Sequence, residues 1–244
     1  MQPVLSVRGL RKTFVLHTID GRTVESLRGV DLDVRAGEHI ALAGPSGAGK
    51  SSLLRCVYRT YLPEAGQVWL HTGDAPVELT GLADRAMARL RGREIGYVSQ
   101  FLSAPPRSGP WQVVAAAARR RGLDRTEADA AAVSSLRRLN LDEALWDVDC
   151  GVLSGGERQR VNLAAGTVCP PRLLLLDEPV SALDPANREA ALELIDSLTA
   201  QGVAVLAVFH DPDAMHRLAS RVVLMTRGVV DRSGSPAEIL AGVA

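Results

Sequence analysis

One glycine-rich segment constrains the fold of this chain more than any other feature. It consists of Gly44, Pro45, Ser46, Gly47, Ala48, Gly49, Lys50 and Ser51. The apolar run 39–43 before it predicts a buried strand, and the apolar positions within 53–58 after it predict a helix. Glycines in such a loop let backbone N–H groups turn toward a phosphate, and the helix N-terminus adds partial positive charge. The segment therefore predicts a nucleoside triphosphate site in an α/β fold, with Lys50 on the β- and γ-phosphates and Ser51 on Mg²⁺.

A pair of carboxylates follows a second apolar run. Four leucines, 173–176, come directly before Asp177 and Glu178. The run predicts a buried parallel strand, and the carboxyl ends of such strands form the edge where ligands bind. We expect Asp177 to bind Mg²⁺ and Glu178 to polarise the attacking water as a general base. An acidic pair after a strand is more often a plain loop start, but the phosphate loop in the same chain favours the catalytic interpretation.

Two kinds of sheet are predicted. Apolar and polar residues alternate over the first forty positions, and Asp20-Gly21 is a typical hairpin turn, so this region predicts an antiparallel sheet. Later in the chain, the apolar runs 203–209 and 222–225 alternate with a helix that begins at Pro185. Strands that alternate with helices predict a mostly parallel sheet covered on both faces.

The middle of the chain has a different pattern. Residues 85–168 show helical periodicity and are rich in Ala and Arg, and no repeat or flexible linker sets them apart. We therefore predict a single α/β domain over residues 1–244. In it, 1–84 and 169–244 form a nucleotide-binding core with an antiparallel β subdomain, and 85–168 form an inserted helical subdomain.

The composition excludes several classes of protein. Basic and acidic residues both number 28, so the net charge is zero and no broad nucleic-acid surface is expected. No apolar run approaches the roughly 18 to 20 residues that span a bilayer, and the first ten residues lack the pattern of a signal peptide. The three cysteines are scattered, which argues against a disulfide framework. We expect a cytoplasmic protein that does not bind nucleic acid.

The segment 153–160 reads Leu-Ser-Gly-Gly-Glu-Arg-Gln-Arg. Ser154 and Glu157 have the spacing of a capping box, so a helix is predicted to begin here. Gly155 and Gly156 would fall in its first turn, where bare glycines allow an anion to approach closely. A simple capped helix start would not normally carry paired glycines. With this segment, the chain resembles the ATP-binding cassette (ABC) ATPases over nearly its whole length, a family with a P-loop NTPase fold.

The resemblance implies a composite site in a dimer. In this family two cassettes pair head to tail. Each ATP lies between the phosphate loop of one cassette and the signature segment of the other, which corresponds to residues 153–160 here. Ser154, Gly155 and Gly156 are therefore implied to contact the ATP bound by a second subunit. Asp184 falls in the segment that is implied to communicate across the dimer. The implied ligands are ATP and Mg²⁺, and the second subunit is either a copy of this chain or a related one.

Three further residues take roles only through the resemblance. Gln100 is implied to contact Mg²⁺ and the attacking water, His210 to hold the γ-phosphate, and Phe14 to stack on adenine. Read alone, Gln100 and His210 would more often be solvated or capping residues, and Phe14 could equally be a core aromatic of its strand. One departure stands out, because Ala165 occupies a position where the family commonly has Arg.

Several short segments are similar to one group within the family, the PhnL-type cassettes of the bacterial phosphonate carbon–phosphorus lyase system. They are 12–17, 54–58, 61–64, 98–102, 145–146 and 209–211. This similarity implies lyase core subunits as partners. It also implies a supporting role in joining a phosphonate to the ribose of a purine nucleoside triphosphate, which gives a ribose 1-phosphonate 5-triphosphate.

The alternative is the ATPase subunit of a lipoprotein-releasing or macrolide-exporter-type ABC transporter, which shares the sequence of 153–160. It would require a membrane permease, recruited through the surface between Gln100 and Trp111. A nucleic-acid-associated cassette would need long coiled-coil or zinc-binding insertions, which this sequence does not contain.

Overall fold

The computed structural model describes residues 2–16, 22–73 and 75–241. The strands in this part of the chain are β1 (Pro3–Leu16), β2 (Arg22–Arg35), β3 (His39–Ala43), β4 (Ala65–His71), β5 (Pro76–Glu78), β6 (Ile95–Val98), β7 (Leu173–Asp177), β8 (Ala204–Val208), β9 (Arg221–Thr226) and β10 (Val229–Gly234). The α-helices are α1 (Lys50–Val57), α2 (Asp84–Arg93), α3 (Pro110–Arg120), α4 (Arg125–Arg138), α5 (Gly155–Thr167), α6 (Pro185–Ala200), α7 (Pro212–Leu218) and α8 (Pro236–Leu240).

The N-terminal sheet is antiparallel, in agreement with the alternating pattern of the sequence. Its strand order is β2-β1-β4-β5, so β1 lies between β2 and β4. Val7 on β1 faces Leu32 on one side and Val68 on the other, and all three are buried. The predicted turn Asp20-Gly21 lies outside the described residues. The alternation in β4 and β5 is short, and these two strands were not predicted.

The second sheet forms the core, with the order β10-β9-β3-β8-β7-β6. Its five strands from β9 to β6 are parallel, and only β10 pairs antiparallel. Every residue of β3, β7 and β8 is buried, which explains their continuous apolar runs. In the register of this sheet, Leu42 and Asp177 both pair with Val208. The phosphate loop, the acidic pair and His210 therefore all follow strands that end at the same edge.

The predicted helical segment 85–168 needs a correction at its start. It contains β6, which pairs in parallel with β7 and is part of the core sheet. This four-residue strand is too short to show a period of its own in a sequence. We therefore propose that the helical subdomain comprises Pro110–Thr167, where α3, α4 and α5 pack on one another.

Helix ends follow the predicted capping chemistry. The Ser154 hydroxyl accepts a hydrogen bond from the Glu157 N–H at 3.3 Å, and the Glu157 carboxylate accepts one from the Ser154 N–H at 2.7 Å. Ser235 and Glu238 form the same reciprocal pair at α8. α1 ends at Val57, within the segment 53–58 whose apolar positions predict a helix. In the described part of the chain, no helix has the length and apolar character that crossing a bilayer requires.

Candidate nucleotide-binding site

The phosphate loop is built around two glycines that no other residue could replace. Gly44 has φ 131° and Gly49 has φ 101°, values that side-chain-bearing residues rarely adopt. A Cβ atom at Gly44 would overlap the carbonyl oxygen of Met225, and one at Gly49 would overlap that of Ser26. The loop therefore passes tightly between β9 and β2. The tip of the loop, residues 45–47, is exposed.

Lys50 lies inside this loop. Its ammonium donates hydrogen bonds to the carbonyls of Gly44 at 2.7 Å and Pro45 at 2.9 Å, and the residue is 6% exposed. Burial lowers the pKa of Lys50, while the charges of Glu178 and Asp177 act in the opposite direction. No described side chain caps the first turn of α1, so its N–H groups are available to an anion. A phosphate fits this set of donors.

Two of the predicted Mg²⁺ ligands, Ser51 and Asp177, are in contact. Ser51 Oγ donates to Asp177 Oδ1 at 2.8 Å, and Asp177 is 2% exposed. Tyr97 donates its hydroxyl to Asp177 Oδ2 at 3.4 Å, and the Arg55 guanidinium lies 4.0 Å from the same oxygen. A hydroxyl beside a carboxylate supplies the oxygen ligands that Mg²⁺ prefers when it also binds phosphates. The donor set therefore fits an Mg²⁺–nucleotide complex.

Glu178 and His210 also lie together at this edge. Glu178 Oε1 is 2.9 Å from His210 Nε2, and the His210 side chain is 57% exposed. The backbone of Glu178 is left-handed, with φ 55°, and its N–H donates to the Val208 carbonyl at 3.1 Å. A non-glycine residue in this conformation is strained, and its surroundings must hold it there. The fold thus places these two predicted catalytic side chains at the sheet edge where the phosphate loop begins.

The signature segment contacts a different part of the chain. A Cβ atom on Gly156 would lie 3.0 Å from the Ala182 carbonyl, so this glycine allows close packing between α5 and the segment before α6. Within the described ranges, no hydrogen bond joins 154–156 to the phosphate loop. Within one chain, the two halves of the implied composite site are therefore not joined by a hydrogen bond among the described residues. Asp184 caps α6, since its carboxylate accepts from the N–H groups of Ala186 and Asn187 at 3.1 Å.

Gln100 is not brought to the Mg²⁺ pair in this structure. Its side chain is exposed and lines a cleft of about 500 Å³ with Phe101, Gly155 and Gln159. None of the hydrogen bonds found among the described residues links it to Ser51 or Asp177. Its contact with Mg²⁺ stays a prediction.

Phe14 is half-buried in a small cationic and aromatic cluster. Its ring packs edge-on against Tyr61, with the centroids 5.1 Å apart, and Lys12 Nζ lies 5.1 Å from its centroid. Lys12 also lies 3.7 Å from the Glu64 carboxylate. These contacts fit both earlier interpretations of Phe14, and its stacking on adenine stays a prediction.

Several residues that shape the site are not predicted from the sequence. Tyr97 and Arg55 face Asp177, and Gln159 and Asn162 hold two of the site's loops through buried amides. Tyr97 could have been predicted if 95–98 had been recognised as a core strand, because β6 then ends at the same sheet edge as β7. Arg121 donates to the carbonyl of Gly166, in the last turn of α5, and to that of Cys169, just after the helix.

Comparison with known proteins agrees with this fold. A sequence profile of the ABC transporter family matches residues 27–181. The lipoprotein-releasing system ATP-binding protein LolD 2 of Caulobacter vibrioides is 38% identical over 227 residues, which cover 93% of this chain and 96% of LolD 2. The phosphonates import ATP-binding protein PhnC 1 of Rhodopseudomonas palustris is 34% identical over 259 aligned positions, covering 98% of this chain and 89% of PhnC 1. The dimeric post-hydrolysis structure of the ATP-binding cassette MJ0796, bound to ADP and Pi, superposes with a TM-score of 0.86 at 25% identity, over 95% of this chain and 98% of that one.

The chain therefore belongs to the ABC transporter family, as an ATP-binding cassette. The predicted fold class, a cassette with a mostly parallel core sheet and an antiparallel N-terminal sheet, is confirmed. Cassettes of this family bind ATP with Mg²⁺, hydrolyse ATP and form dimers.

Proposed function

We propose that this chain hydrolyses Mg²⁺-ATP in a dimer of two cassettes and uses the cycle to drive a partner protein. One observation carries the proposal: the Ser51–Asp177 pair and the Glu178–His210 pair lie at one sheet edge beside the phosphate loop. A hydroxyl–carboxylate pair suits Mg²⁺, and a carboxylate near a phosphate site suits activation of water.

Each side chain has a task that follows from its position. Lys50 exchanges its bonds to loop carbonyls for bonds to the β- and γ-phosphates of ATP. Ser51 and Asp177 hold Mg²⁺, which neutralises charge on the phosphates when it is bound. Glu178 polarises the water that attacks the γ-phosphorus, and His210 binds the γ-phosphate and orients Glu178.

The remaining site residues act where two cassettes meet. We propose that Ser154, Gly155 and Gly156 contact the ATP held by the partner cassette, where the N-terminus of α5 faces the γ-phosphate. Asp184 communicates across the interface, and Gln100 joins Mg²⁺ and the attacking water when the helical subdomain moves toward the core. Phe14 stacks on adenine.

A membrane permease is the better supported partner. The relatives reported above are named for a lipoprotein-releasing system and for phosphonate import, and they match this chain over nearly its whole length. Their similarity supports a transporter ATPase subunit of the lipoprotein-releasing type, which was the alternative in the sequence argument.

The docking surface for such a partner has a distinct charge. A groove beside the segment 99–106 is lined by five arginines and by no carboxylate among the described residues. The arginines are Arg91, Arg119, Arg120, Arg121 and Arg125, and the other lining residues include Tyr58, Ser103, Pro105, Trp111, Val113 and Ala117. Ala165 lines the same groove, so the Arg common in the family at that position would add a further positive charge. Phe101, at the mouth of the neighbouring cleft, is 76% exposed. A partner segment with acidic and apolar side chains suits this surface.

The phosphonate lyase system remains a second candidate. The observation in its favour is the set of PhnL-like segments, of which 98–102 and 209–211 flank the site itself. In that case soluble lyase subunits would occupy the same groove, and the ATPase cycle would support formation of the ribose 1-phosphonate 5-triphosphate.

Affinity purification from the native host separates the two candidates. The tagged chain is recovered from detergent-solubilised membranes and from the soluble fraction, and its partners are identified by mass spectrometry. Recovery of a permease supports the transporter, and recovery of lyase subunits supports the second candidate. Arg120→Glu should lose the partner, whereas Arg35→Glu, at an exposed residue that ends β2 in the N-terminal sheet, should keep it.

Growth of a deletion strain gives an independent answer. On methylphosphonate as sole phosphorus source, undiminished growth in the absence of a second gene copy would contradict the lyase role. Loss of growth on methylphosphonate, with normal growth on phosphate, would contradict the lipoprotein-releasing role.

A further inference from the structure

Two buried amide side chains lie on one face of α5, the helix that begins with the signature segment. Gln159 is 3% exposed and Asn162 is 7% exposed. Their spacing of three residues places them on neighbouring turns of the same helix face. Buried amides need hydrogen-bond partners, and both of these find them outside the helix.

Gln159 binds the backbone next to the proposed general base. Its Nε2 donates to the Pro179 carbonyl at 2.9 Å and lies 3.5 Å from the Glu178 carbonyl. Glu178 is the residue with the strained, left-handed backbone, so its conformation depends on such contacts. A donor that fixes the carbonyls of 178 and 179 therefore fixes the direction of the Glu178 side chain.

Asn162 binds the backbone next to Gln100. Its Nδ2 donates to the Ser99 carbonyl at 2.6 Å. Ser99 links β6, which is part of the core sheet, to the exposed segment that carries Gln100. The amide of Asn162 thus ties that segment to the same helix that holds the Glu178 loop.

A third buried polar residue of α5 shows what an ordinary structural role looks like. Thr167 is 6% exposed, and its hydroxyl donates to the Leu163 carbonyl, at 2.7 Å, within the helix itself. Gln159 and Asn162 differ because each reaches a loop that carries a proposed catalytic residue.

We infer that Gln159 and Asn162 are positioning residues that couple the two ATP sites of the dimer. The inference rests on the proposed function, in which the start of α5 contacts the ATP bound by the partner cassette. Displacement of α5 by that nucleotide moves the carbonyls of Ser99 and Pro179, and with them Gln100 and Glu178 of its own site. ATP at one site thereby sets the catalytic geometry of the other, which is a coupling in the thermodynamic sense.

The test compares Gln159→Met and Asn162→Leu with Thr167→Val. Each substitution keeps a similar shape and removes a buried donor, but only the first two break contact with the loops. Far-UV circular dichroism and thermal unfolding first establish that each variant is folded. Gln159→Met and Asn162→Leu are interpreted independently, so one folded variant of the two is enough to test the inference. The measurements are the Kd of the monomer for an ATP analogue, the ATPase kcat and the Hill coefficient for ATP.

The inference predicts a specific pattern. In Gln159→Met and Asn162→Leu, Kd should change by less than about twofold, kcat should fall at least about tenfold, and the Hill coefficient should fall from above 1 in the wild type to about 1. Amide hydrogen exchange of 178–183 in the nucleotide-free protein should speed up in Gln159→Met. Thr167→Val should match the wild type in all of these.

Three results would overturn it. A wild-type Hill coefficient retained in both loop-contacting variants shows that the amides do not couple the sites. A wild-type protein that hydrolyses ATP with a Hill coefficient of 1 has no coupling to transmit, although the proposed function stands. A wild-type protein without ATPase activity contradicts the proposed function itself and this inference with it.

Discussion

Ser51 Oγ donates a hydrogen bond to Asp177 Oδ1 at 2.8 Å across a sequence separation of 126 residues. The contact forms because the phosphate loop follows β3 and Asp177 ends β7, and these strands flank β8 in one parallel sheet. Neither residue binds a metal well alone. Together they give the hydroxyl and carboxylate oxygens that an Mg²⁺–nucleotide complex requires.

Lys50 should not be replaceable by arginine. Lys50 and Lys12 are the only lysines in a chain with 28 basic residues, so arginine is otherwise the usual cation here. A planar guanidinium does not fit between the Gly44 and Pro45 carbonyls, whereas a slender ammonium does. We expect Lys50→Arg to raise the Kd for ATP at least about tenfold in equilibrium binding, while Lys12→Arg stays within about threefold. Equal affinities for Lys50→Arg and the wild type would show that the ammonium is not needed.

The first glycine of the loop, Gly44, should tolerate substitution far less than the second, Gly47. Gly44→Ala would place a Cβ against the Met225 carbonyl, whereas Gly47, with φ 79°, has open space around it. We expect Gly47→Ala to cost about 1 kcal/mol of unfolding free energy from its backbone conformation, and Gly44→Ala at least about 3 kcal/mol. Urea titrations of both variants measure this. Similar losses at the two positions would contradict the close packing of the loop on β9.

His39 should make stability depend on pH. It is fully buried, its two ring nitrogens have no partner among the described residues, and burial lowers its pKa to about 3. Below the unfolded-state pKa of about 6.5, the unfolded chain gains a proton that the folded chain does not take up until about pH 3. The unfolding free energy should therefore fall by about 2 kcal/mol between pH 7 and pH 5 through this residue.

Replacing the imidazole should remove that dependence. Urea unfolding of His39→Leu at pH 7 and pH 5 should show a difference about 2 kcal/mol smaller than that of the wild type. The exposed His216→Gln serves as the control and should behave as the wild type does. An unchanged pH dependence in His39→Leu would mean that the ring is protonated in the folded state.

Local chemistry explains which features could be predicted from sequence. The phosphate loop, the capping boxes at Ser154 and Ser235, and the Asp177–Glu178 strand end are all encoded within a few consecutive residues. Their spatial meeting follows from the rule that parallel strands end at one edge.

The missed features depend on contacts between distant segments. β6 is defined by its pairing with β7, and Gln159 gains its importance from carbonyls 19 and 20 positions away. A glutamine in a helix gives no sign of such partners, because its spacing is compatible with a solvated face. The partner protein could not be predicted from the sequence for the same reason, because the arginines that line its proposed docking groove come from several separate elements of the chain.

The general-base assignment and the dimer are tested together by Glu178→Gln. With its carboxylate removed, the variant should bind Mg²⁺-ATP without hydrolysing it, so that kcat falls at least about 100-fold. Glu189→Gln, which alters an exposed carboxylate paired with Arg217, should keep the wild-type rate.

The most direct single measurement is sedimentation velocity of Glu178→Gln with and without saturating Mg²⁺-ATP. The chain has a mass of 26.0 kDa. We predict a monomer without nucleotide and a species of twice that mass with it, which Ser154→Arg should abolish by blocking the signature segment. A monomer at saturating Mg²⁺-ATP would contradict the composite site and the function built on it.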